Sequence, residues 1–320
     1  MGVLVTGANG FLGRVAVQYL CEFTEHRVSC AVRSPISAES LSSSNRPVHV
    51  VGEISAETDW RSALKGIHCV VHCAARVHVM KEALDAEDLF TRVNVDGTLQ
   101  LAEQAAASGV KRFIFISTIK VNGESSAPHH PFTPEAQAMP EGAYAVSKYE
   151  AEQALRALSE RTGMELVIIR PPLVYGPGVK ANFLSMVRWL SKGIPLPLGA
   201  VDNKRSLVYV YNLVDLIKTC IDHPRASGQV FLVSDDEDLS IHELLRRTGS
   251  ALGKRVRLMK VPVVMLRASA RLVGKDAQVS RLCDSLSADI SKTKRLLGWT
   301  PPVSVDKGLS KTVAEFRETY

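Results

Sequence analysis

The stretch Val3-Leu-Val-Thr-Gly-Ala-Asn-Gly-Phe-Leu-Gly13, near the start of the 320-residue chain, decides the fold class. Its apolar residues 3–5 predict a buried parallel strand, and a helical pattern follows the glycines. Glycines at such a turn let the backbone approach a pyrophosphate and direct the N–H groups of the helix N-terminus at that anion. Their spacing is G-x-x-G-x-x-G, which differs from the usual G-x-G-x-x-G of dinucleotide-binding turns. The stretch therefore predicts nucleotide binding, with a tight turn of an ordinary α/β protein as the alternative.

Composition sets broad limits on what the protein is. With 46% hydrophobic and 22% charged residues, the chain has an ordinary globular profile. No apolar run approaches the ~18 residues of a membrane span, and the first strand begins too early to leave room for a signal peptide. We therefore expect a cytoplasmic protein without a membrane partner. The formal charge of +6 comes from scattered residues, which predicts no nucleic-acid partner but suits an anionic ligand.

The six cysteines include no C-x-x-C pair and most lie in apolar runs, which predicts buried thiols instead of a disulfide framework. Cys69, His72 and Cys73 resemble a metal-binding group at first sight. They belong to a predicted strand, however, and a strand directs neighbouring side chains to opposite faces. We therefore predict no metal site.

Strands and helices alternate along the first half of the chain. The pattern predicts strands at about 27–32, 48–51, 67–73, 112–117 and 165–169, and long helices at about 85–108 and 143–162. Strict alternation is typical of an α/β protein with a doubly wound parallel sheet. We therefore expect residues 1–170 to form a nucleotide-binding domain.

Beyond residue 170 the sequence becomes rich in proline and glycine. We expect residues 171–320 to form mainly a smaller C-terminal α/β substrate lobe, with helical patterns at about 240–252, 263–272 and 288–296. A strand-helix pair at 206–221 and a strand at 229–233 are expected to return to the large sheet. Because ligands of open α/β sheets bind beyond the carboxyl ends of the strands, the crevice between the lobes is the expected site.

Two pairs of polar residues are predicted to face that crevice. Ser117 and Thr118 follow a strand, and Tyr144 and Lys148 stand at i and i+4 on one face of a helix. A tyrosine with a pKa near ~10 carries protons poorly at neutral pH unless a nearby cation favours its anion, and Lys148 can be that cation. Such a phenol can give a proton to a carbonyl oxygen, or take one from an alcohol, while hydride moves at carbon. Tyr144 and Lys148 alone would fit a solvated surface pair, but together with the glycine turn and Thr118 they favour catalysis.

These motifs together resemble the extended short-chain dehydrogenases/reductases, in the NAD-dependent nucleotide-sugar epimerase/dehydratase group, and the resemblance covers essentially the whole chain. It is carried by Thr6-Gly-Ala-Asn-Gly-Phe-Leu-Gly13, Cys73-Ala-Ala75, Asn94-Val-Asp-Gly-Thr98, Ser117-Thr118, Tyr144-x-x-x-Lys148, Arg170-Pro-Pro-Leu-Val-Tyr-Gly-Pro-Gly178, Arg205-Ser-Leu-Val-Tyr-Val and Leu297-Gly-Trp-Thr-Pro301. The resemblance implies a Rossmann fold that binds NAD or NADP.

The resemblance also implies a role for each catalytic residue. Tyr144 would be the acid/base, Lys148 would bind the nicotinamide ribose and lower the pKa of Tyr144, and Thr118 would hydrogen-bond the reacting sugar oxygen. The residues implied to bind the cofactor are Gly7, Asn9, Gly10, Phe11, Leu12, Gly13, Arg33, Glu53, Ile54, Ala74, Ala75, Asn94, Ser117, Tyr144, Lys148, Pro171 and Val174.

Arg33 bears on the choice of cofactor. It ends the second predicted strand, where NAD-preferring members of the family usually have an acidic residue for the ribose hydroxyls. An arginine there can meet the 2′-phosphate of NADP, which slightly favours NADP over NAD. A surface arginine at the mouth of a loop is the alternative.

The substrate that the resemblance implies is a UDP-sugar. Asn182 and Arg205 match positions that hold the diphosphate, Arg281 is a third basic candidate, and Lys120 is assigned to the substrate as well. A helix-start amide and solvated arginines are the alternatives. Residues 117–124 are similar to bacterial proteins of surface-polysaccharide synthesis that reduce a 4-keto-6-deoxy-N-acetylhexosamine on UDP.

The leading hypothesis is therefore an NAD(P)-dependent oxidoreductase that acts at C4 of a UDP-sugar, as a 4-ketoreductase. The first alternative is a UDP-sugar 4-epimerase, for UDP-glucose or UDP-N-acetylglucosamine, with tightly held NAD. A dehydratase is disfavoured because the acidic pair needed for elimination is missing after Thr118. A reductase of lipids, steroids or aromatic aldehydes and a non-catalytic NAD(P)-binding regulator remain open. By resemblance, a homodimer is expected to form through the two long helices at about 85–108 and 143–162.

Overall fold

The computed structural model describes residues 1–39, 46–77, 86–127, 129–272, 274 and 276–319. Its main element is a seven-stranded sheet in which all neighbouring strands are parallel. In spatial order the strands are β3 (Val48–Val50), β2 (Arg27–Val32), β1 (Gly2–Thr6), β4 (Cys69–His72), β5 (Arg112–Ile116), β6 (Glu165–Arg170) and β9 (Gln229–Leu232). The order runs outward from β1 in both directions, which confirms the predicted doubly wound sheet. Ligands of such sheets bind where the order reverses, beside the carboxyl ends of β1 and β4.

The helices alternate with the strands and then dominate the C-terminal part. They are α1 (Phe11–Phe23), α2 (Pro35–Glu39), α3 (Ala86–Phe90), α4 (Gly97–Ala107), α5 (Gly142–Thr162), α6 (Ala181–Ser191), α7 (Val210–Asp222), α8 (Ile241–Ala251), α9 (Val263–Leu272), α10 (Asp276–Cys283), α11 (Ser291–Leu297) and α12 (Val305–Thr319). No helix in the described part of the chain has both the length and the apolar character needed to cross a membrane.

Two apolar cores lie on the two faces of the sheet. In β1, Val3 and Val5 belong to the core that includes α1 and α7, whereas Leu4 belongs to the core that includes α4 and α5. The alternation follows from the two-residue period of a strand. A strand buried on both faces needs apolar residues throughout, which explains the continuous apolar run that predicted β1.

The strand expected to return near residue 206 does not join the main sheet. Instead, β8 (Leu207–Tyr209) pairs in parallel with β7 (Leu173–Tyr175) to form a separate two-stranded sheet. Pro171 and Pro172, between β6 and β7, lack the N–H groups that would continue the main ladder. The expectation for residues 229–233 is confirmed by β9, whereas the division of the chain at residue 170 stays a prediction.

Several helical features departed from expectation. The helix expected at 85–108 is interrupted by a π-helix, Thr91–Asp96, between α3 and α4. The sequence analysis missed α10 and α12, although Val305, Leu309 and Val313 of α12 repeat every four residues and are buried in the core.

Candidate active site

The glycine turn between β1 and α1 is shaped by close backbone contacts. Gly7 has φ +63° and a side chain there would meet Ala74 Cα at 2.9 Å. A side chain at Gly13 would meet the Gly7 carbonyl oxygen at 2.1 Å, so the first turn of α1 presses against the strand end. Gly10 is the N-cap of α1 and has no side chain to cap it. The N–H groups of Phe11, Leu12 and Gly13 therefore remain for an anion, which fits a pyrophosphate.

A cavity of about 450 Å³ opens beside this turn. It brings together most of the residues predicted to bind the adenosine half of a dinucleotide. These are Gly7, Asn9, Gly10, Arg33, Glu53, Ile54, Ala74 and Ala75. Its lining also includes residues that the sequence analysis did not single out, among them Trp60, Arg76 and Val93.

Arg33 and Glu53 form an exposed ion pair at the rim of the cavity, with 3.3 Å between Arg33 Nη1 and Glu53 Oε1. The pair joins the ends of β2 and β3. Both residues were predicted to bind the cofactor, but their contact with each other was not foreseen. Because Glu53 neutralises part of its charge, Arg33 is a weaker anchor for a 2′-phosphate than the sequence alone suggested.

Arg76 is the main cavity residue that the sequence analysis missed. Its Nε atom is buried and has no hydrogen-bond partner among the described residues. Asn94 fixes the backbone of Arg76, accepting from its N–H at 2.8 Å and donating to its carbonyl oxygen at 3.0 Å. A buried guanidinium nitrogen without a partner among the described residues, in a residue that lines the cavity, suits an anionic ligand. The sequence signal that could have identified Arg76 is its position directly after Ala75, which was predicted to bind the cofactor.

Asn94 itself was predicted to bind the cofactor, and the structure places it differently. Besides Arg76, its amide donates to Ser147 Oγ at 3.0 Å, so the buried side chain links β4, the π-helix and α5. Its hydrogen bonds are directed at the protein. Asn94 therefore supports the wall of the site, and a π-helix at a functional site is a common arrangement.

Lys148 lies deep in the molecule, on α5. Its Nζ atom stands 3.9 Å from the centre of the Phe115 ring, at the carboxyl end of β5. Burial lowers the pKa of Lys148 to about 7, and the nearby Glu152 and Cys73 oppose that shift. Lys148 Nζ therefore lies against an aromatic face, and the charge of the nearby Glu152 favours its ammonium form.

Tyr144 lies one turn before Lys148 on α5 and its ring centre is 6.1 Å from that of Phe90. The resemblance implied that Lys148 lowers the pKa of Tyr144. In the structure, burial raises the pKa of Tyr144 to about 12, because the apolar surroundings disfavour the charged phenolate. The lowering of this pKa by Lys148 stays a prediction.

Ser117 and Thr118 come directly after β5, as predicted. Thr118 is buried, and its hydroxyl oxygen accepts from Lys120 N at 3.3 Å to cap a short 3₁₀ helix, Ile119–Val121, that packs against α5. Ser117 donates to Glu152 Oε1 at 2.5 Å, so its hydroxyl is engaged with the protein interior. The cofactor contact expected of Ser117 stays a prediction.

Glu152 and Arg170 lie behind Ser117 and were not singled out from the sequence. Arg170 donates to both carboxylate oxygens of Glu152, with the Nε contact at 2.9 Å, and also to Asn122 Oδ1 at 3.1 Å. All three side chains are buried. The network ties the end of β6 to α5 beneath the catalytic candidates.

Pro171 and Val174 follow β6. The carbonyl oxygen of Pro171 accepts from Ile119 N at 3.0 Å, which places Pro171 beside Thr118. Val174 is half-buried in β7 and packs against the core. Pro171 therefore borders the catalytic candidates, as expected for a residue near the reacting end of the cofactor.

Three of the four substrate candidates lie close together, and two of them contact the carboxylate of Glu124, which the sequence analysis did not assign. Lys120 Nζ lies 2.6 Å from Glu124 Oε1, and Arg281 Nε lies 3.9 Å from Glu124 Oε2. Arg205 Nη1 donates to the carbonyl oxygens of Arg281 and Asp284, both at 2.8 Å. We call Lys120, Glu124, Arg205 and Arg281 the substrate-side cluster.

Asn182 is exposed in the first turn of α6, and among the described side chains no hydrogen bond joins it to the substrate-side cluster. Its placement at a helix start matches the alternative that the sequence left open.

The cysteines and His72 serve the core. All six cysteines are free. His72 is buried with both ring nitrogens hydrogen-bonded, to Thr6 at 2.8 Å and to Thr98 at 3.0 Å. Within the described residues, no group of His, Cys, Asp and Glu could hold a metal ion.

Comparisons with known proteins agree with this architecture. The profile of the NAD-dependent epimerase/dehydratase family matches residues 3–234. A UDP-glucose 4-epimerase of Vibrio cholerae is 49% identical over 317 residues, which cover 98% of this chain and 95% of that protein.

Solved structures show the same fold. A UDP-glucuronic acid 4-epimerase from Bacillus cereus, in complex with UDP-glucuronic acid and NAD, superposes with a TM-score of 0.81 at 24% identity, covering 100% of both chains. A dTDP-glucose 4,6-dehydratase from Streptomyces venezuelae with bound NAD has a TM-score of 0.76 at 25% identity, covering 99% of this chain and 97% of that one. With its glycine cradle, its dinucleotide-shaped cavity and these matches over nearly its whole length, the chain is an enzyme that belongs to the NAD-dependent epimerase/dehydratase family.

Proposed function

We propose that the enzyme is a UDP-sugar 4-epimerase. The observation that carries the proposal is the 49% identity, over nearly the full length of both chains, to a UDP-glucose 4-epimerase. The sequence analysis had this activity as its first alternative and favoured a 4-ketoreductase, but the identity to the Vibrio cholerae enzyme supports the alternative better. Substrates of the UDP-glucose or UDP-N-acetylglucosamine class are proposed to bind with their diphosphate near the basic side chains of Lys120, Arg205 and Arg281.

Tyr144, Lys148 and Thr118 would carry the reaction. A bound nicotinamide supplies the acceptor and donor of hydride. Epimerisation begins with oxidation of the C4 alcohol, so Tyr144 would first act as a phenolate that takes the C4 hydroxyl proton while hydride leaves C4. It would return that proton when hydride comes back to the other face of the sugar. Burial raises the pKa of Tyr144 to about 12, so the first step needs a group in the site that favours the phenolate. Thr118 would hold the C4 oxygen, and the charge on Lys148 would favour the phenolate when Tyr144 gives its proton away.

We further propose NAD as the cofactor. The turn with its uncapped N–H groups, the cavity and the buried Nε atom of Arg76 fit a dinucleotide of either kind. The slight preference for NADP depended on Arg33, and the ion pair with Glu53 weakens that argument. The family description and the NAD-bound dehydratase support NAD.

The test uses purified protein with UDP-glucose and no added cofactor, and follows the appearance of UDP-galactose. We expect turnover, release of NAD on heating, and a loss of about 10²–10⁴-fold in the Tyr144→Phe variant. Tyr149→Phe, on the same helix, is the matched control and should retain activity. Consumption of NADPH with a 4-keto sugar, without any epimerisation of UDP-glucose or UDP-N-acetylglucosamine, would instead establish the reductase.

Two finer proposals complete the assignment. Two copies are proposed to pair through the helical region 86–107 and α5. The mass of the purified protein, measured by light scattering, would test this.

A reducing compartment such as the cytoplasm is proposed because all six cysteines are free.

A further inference from the structure

The outward face of α9 is unusually apolar for a surface. Val264 is 79% exposed, Met265 61% and Leu272 89%. Val264, the exposed Ala268 and Leu272 follow the i, i+4, i+8 spacing of one helix face, and Met265 lies next to Val264. The opposite face is already used, since Val263 and Leu266 pack against the core and Ala270 is buried.

The apolar side chains of this face are grouped together and highly exposed, unlike apolar residues scattered singly over a surface. Among the large apolar side chains of the described residues, Leu272 has the largest exposed fraction. Val264 and Ile36, each 79% exposed, share the next largest. Exposed apolar residues gathered on one helix face mark an interaction site more often than isolated ones do.

The surroundings of α9 are strongly basic. Residues 254–272 contain six Lys or Arg and no Asp or Glu. Four of them, Lys254, Arg255, Arg257 and Lys260, precede the helix and are exposed. The other two lie within α9 and have acidic partners, because Arg267 pairs with Asp284 and Arg271 with Asp276.

Backbone contacts hold the basic segment in place beside the helix. Leu196 N donates to Arg257 O at 2.9 Å, and Met259 N donates to Leu196 O at 2.9 Å. Met259, which is itself exposed, is therefore anchored next to Lys260, just before α9 begins. We call Met259, Lys260, Val264, Met265, Arg271 and Leu272 the basic apolar surface.

We propose that the basic apolar surface docks onto an anionic lipid bilayer. Apolar side chains on one face of a helix, with basic side chains beside them, are the combination that inserts shallowly at the boundary between headgroups and acyl chains. Each exposed cation adds attraction to an anionic leaflet. A ten-residue helix lies in such an interface and does not cross it.

Charge decides between a bilayer and a second copy of the chain. A two-fold contact through α9 would bring together two segments that each carry four exposed cations, at positions 254, 255, 257 and 260, beyond the two cations that are paired with Asp276 and Asp284. Such like charges repel, whereas an anionic surface attracts both the apolar face and its basic surroundings.

Docking would orient the enzyme with its substrate side toward the membrane. Arg267 of α9 contacts Asp284 at 2.6 Å, and the carbonyl oxygen of Asp284 accepts from Arg205 of the substrate-side cluster at 2.8 Å. Helix α9, which carries most of the basic apolar surface, is thus connected to the substrate-side cluster through Asp284. The docking itself does not depend on which sugar the enzyme takes.

The test is sedimentation of the purified full chain with vesicles of phosphatidylcholine, with or without phosphatidylglycerol, at low and high salt. We expect binding to the anionic vesicles only, with release at high salt. Val264→Asp and Leu272→Asp should each lower the partition coefficient about tenfold, and Lys260→Glu at least ~fivefold. Ile36→Asp is the matched control, because Ile36 is also 79% exposed but lies on α2.

A second readout guards against misfolded variants. Val264→Trp should show blue-shifted emission with anionic vesicles and no shift with neutral ones, while circular dichroism stays that of the wild type. The proposal is overturned if the wild type binds neutral and anionic vesicles equally, or if Val264→Asp binds like the wild type. It is equally overturned if no vesicles bind and Val264→Asp instead abolishes a dimer seen by light scattering.

Discussion

Glu152 and Arg170 form a fully buried ion pair, with 2.5 Å between Glu152 Oε2 and Arg170 Nη2, beneath the helix that carries Tyr144 and Lys148. Ser117 donates a further hydrogen bond to Glu152, and Arg170 donates one to Asn122. Because Glu152 is also the carboxylate that acts on Lys148, the pair couples the stability of the sheet to the charge at the catalytic helix. A buried pair of this kind is strong only while both partners are present.

Removing the charge of Glu152 should therefore be costly. Glu152→Gln leaves the Arg170 guanidinium buried without its counter-ion, and we expect the free energy of unfolding to fall by about 3–5 kcal/mol. Urea unfolding followed by circular dichroism measures the loss.

Glu103→Gln provides the comparison, since Glu103 pairs with Arg161 at 3.2 Å on the exposed side of α4 and α5. That change should stay within ~1 kcal/mol. Equal losses in the two variants would show that the burial of the Glu152 pair has no energetic consequence.

The burial of Lys148 predicts a pH dependence of stability. Its pKa falls from 10.5 to about 7 on folding. Between these values the unfolded chain holds a proton that the folded chain has released, so the free energy of unfolding rises with pH, by up to ~1.4 kcal/mol per unit. Below pH ~7 the lysine is protonated in both states, so the whole free-energy cost of burying its charge opposes folding.

Lys148→Met removes this titration. We expect its gain in stability over the wild type to be largest near pH ~7 and to shrink toward pH ~10, as measured by urea unfolding without cofactor. The exposed Lys65→Met variant should keep the pH profile of the wild type. A constant difference between Lys148→Met and the wild type across this range would contradict the burial argument.

The sequence predicted the features that depend on residues close together in the chain, and it missed those that depend on contacts between distant residues. The glycine turn and the Tyr144–Lys148 spacing are local, and each was placed correctly on its element. The Glu152–Arg170 pair joins a helix to a strand 18 residues later, and only the packing of α5 on the sheet brings the two together. The high pKa of Tyr144 likewise comes from burial, which no spacing reveals. Strand β8 was assigned to the wrong sheet because strand pairing depends on contacts far apart in sequence.

The glycine turn predicts a graded loss of cofactor binding. A methyl group at position 13 would stand 2.1 Å from the Gly7 carbonyl oxygen, which forces the turn to move, whereas one at position 10 would stand 3.1 Å from the same atom. Gly13→Ala should therefore abolish NAD binding in calorimetry, while Gly10→Ala weakens it less. If Gly10→Ala proved the more damaging, the backbone contact between Gly13 and Gly7 could not be what shapes the site.

The Arg33–Glu53 ion pair predicts how the cofactor preference can be shifted. Both side chains are exposed at the rim of the cavity, so the pair is weak and Glu53 acts mainly by partly neutralising Arg33. Glu53→Gln frees the guanidinium, and the affinity for NADP relative to NAD should rise about two- to fivefold. Arg33→Ala should lower the same ratio, because the cation that can meet a 2′-phosphate is gone.

The control for this shift is Asp59→Asn, which breaks a second exposed pair, with Arg61 at 2.8 Å, at residues that do not line the cavity. That variant should leave the ratio of the two affinities unchanged, because it alters net charge by the same amount as Glu53→Gln without freeing Arg33. Calorimetric titration of each variant with NAD and with NADP at one ionic strength gives the ratio directly. A rise in Asp59→Asn as large as that in Glu53→Gln would assign the effect to overall charge, and the rim pair would then have no part in choosing the cofactor.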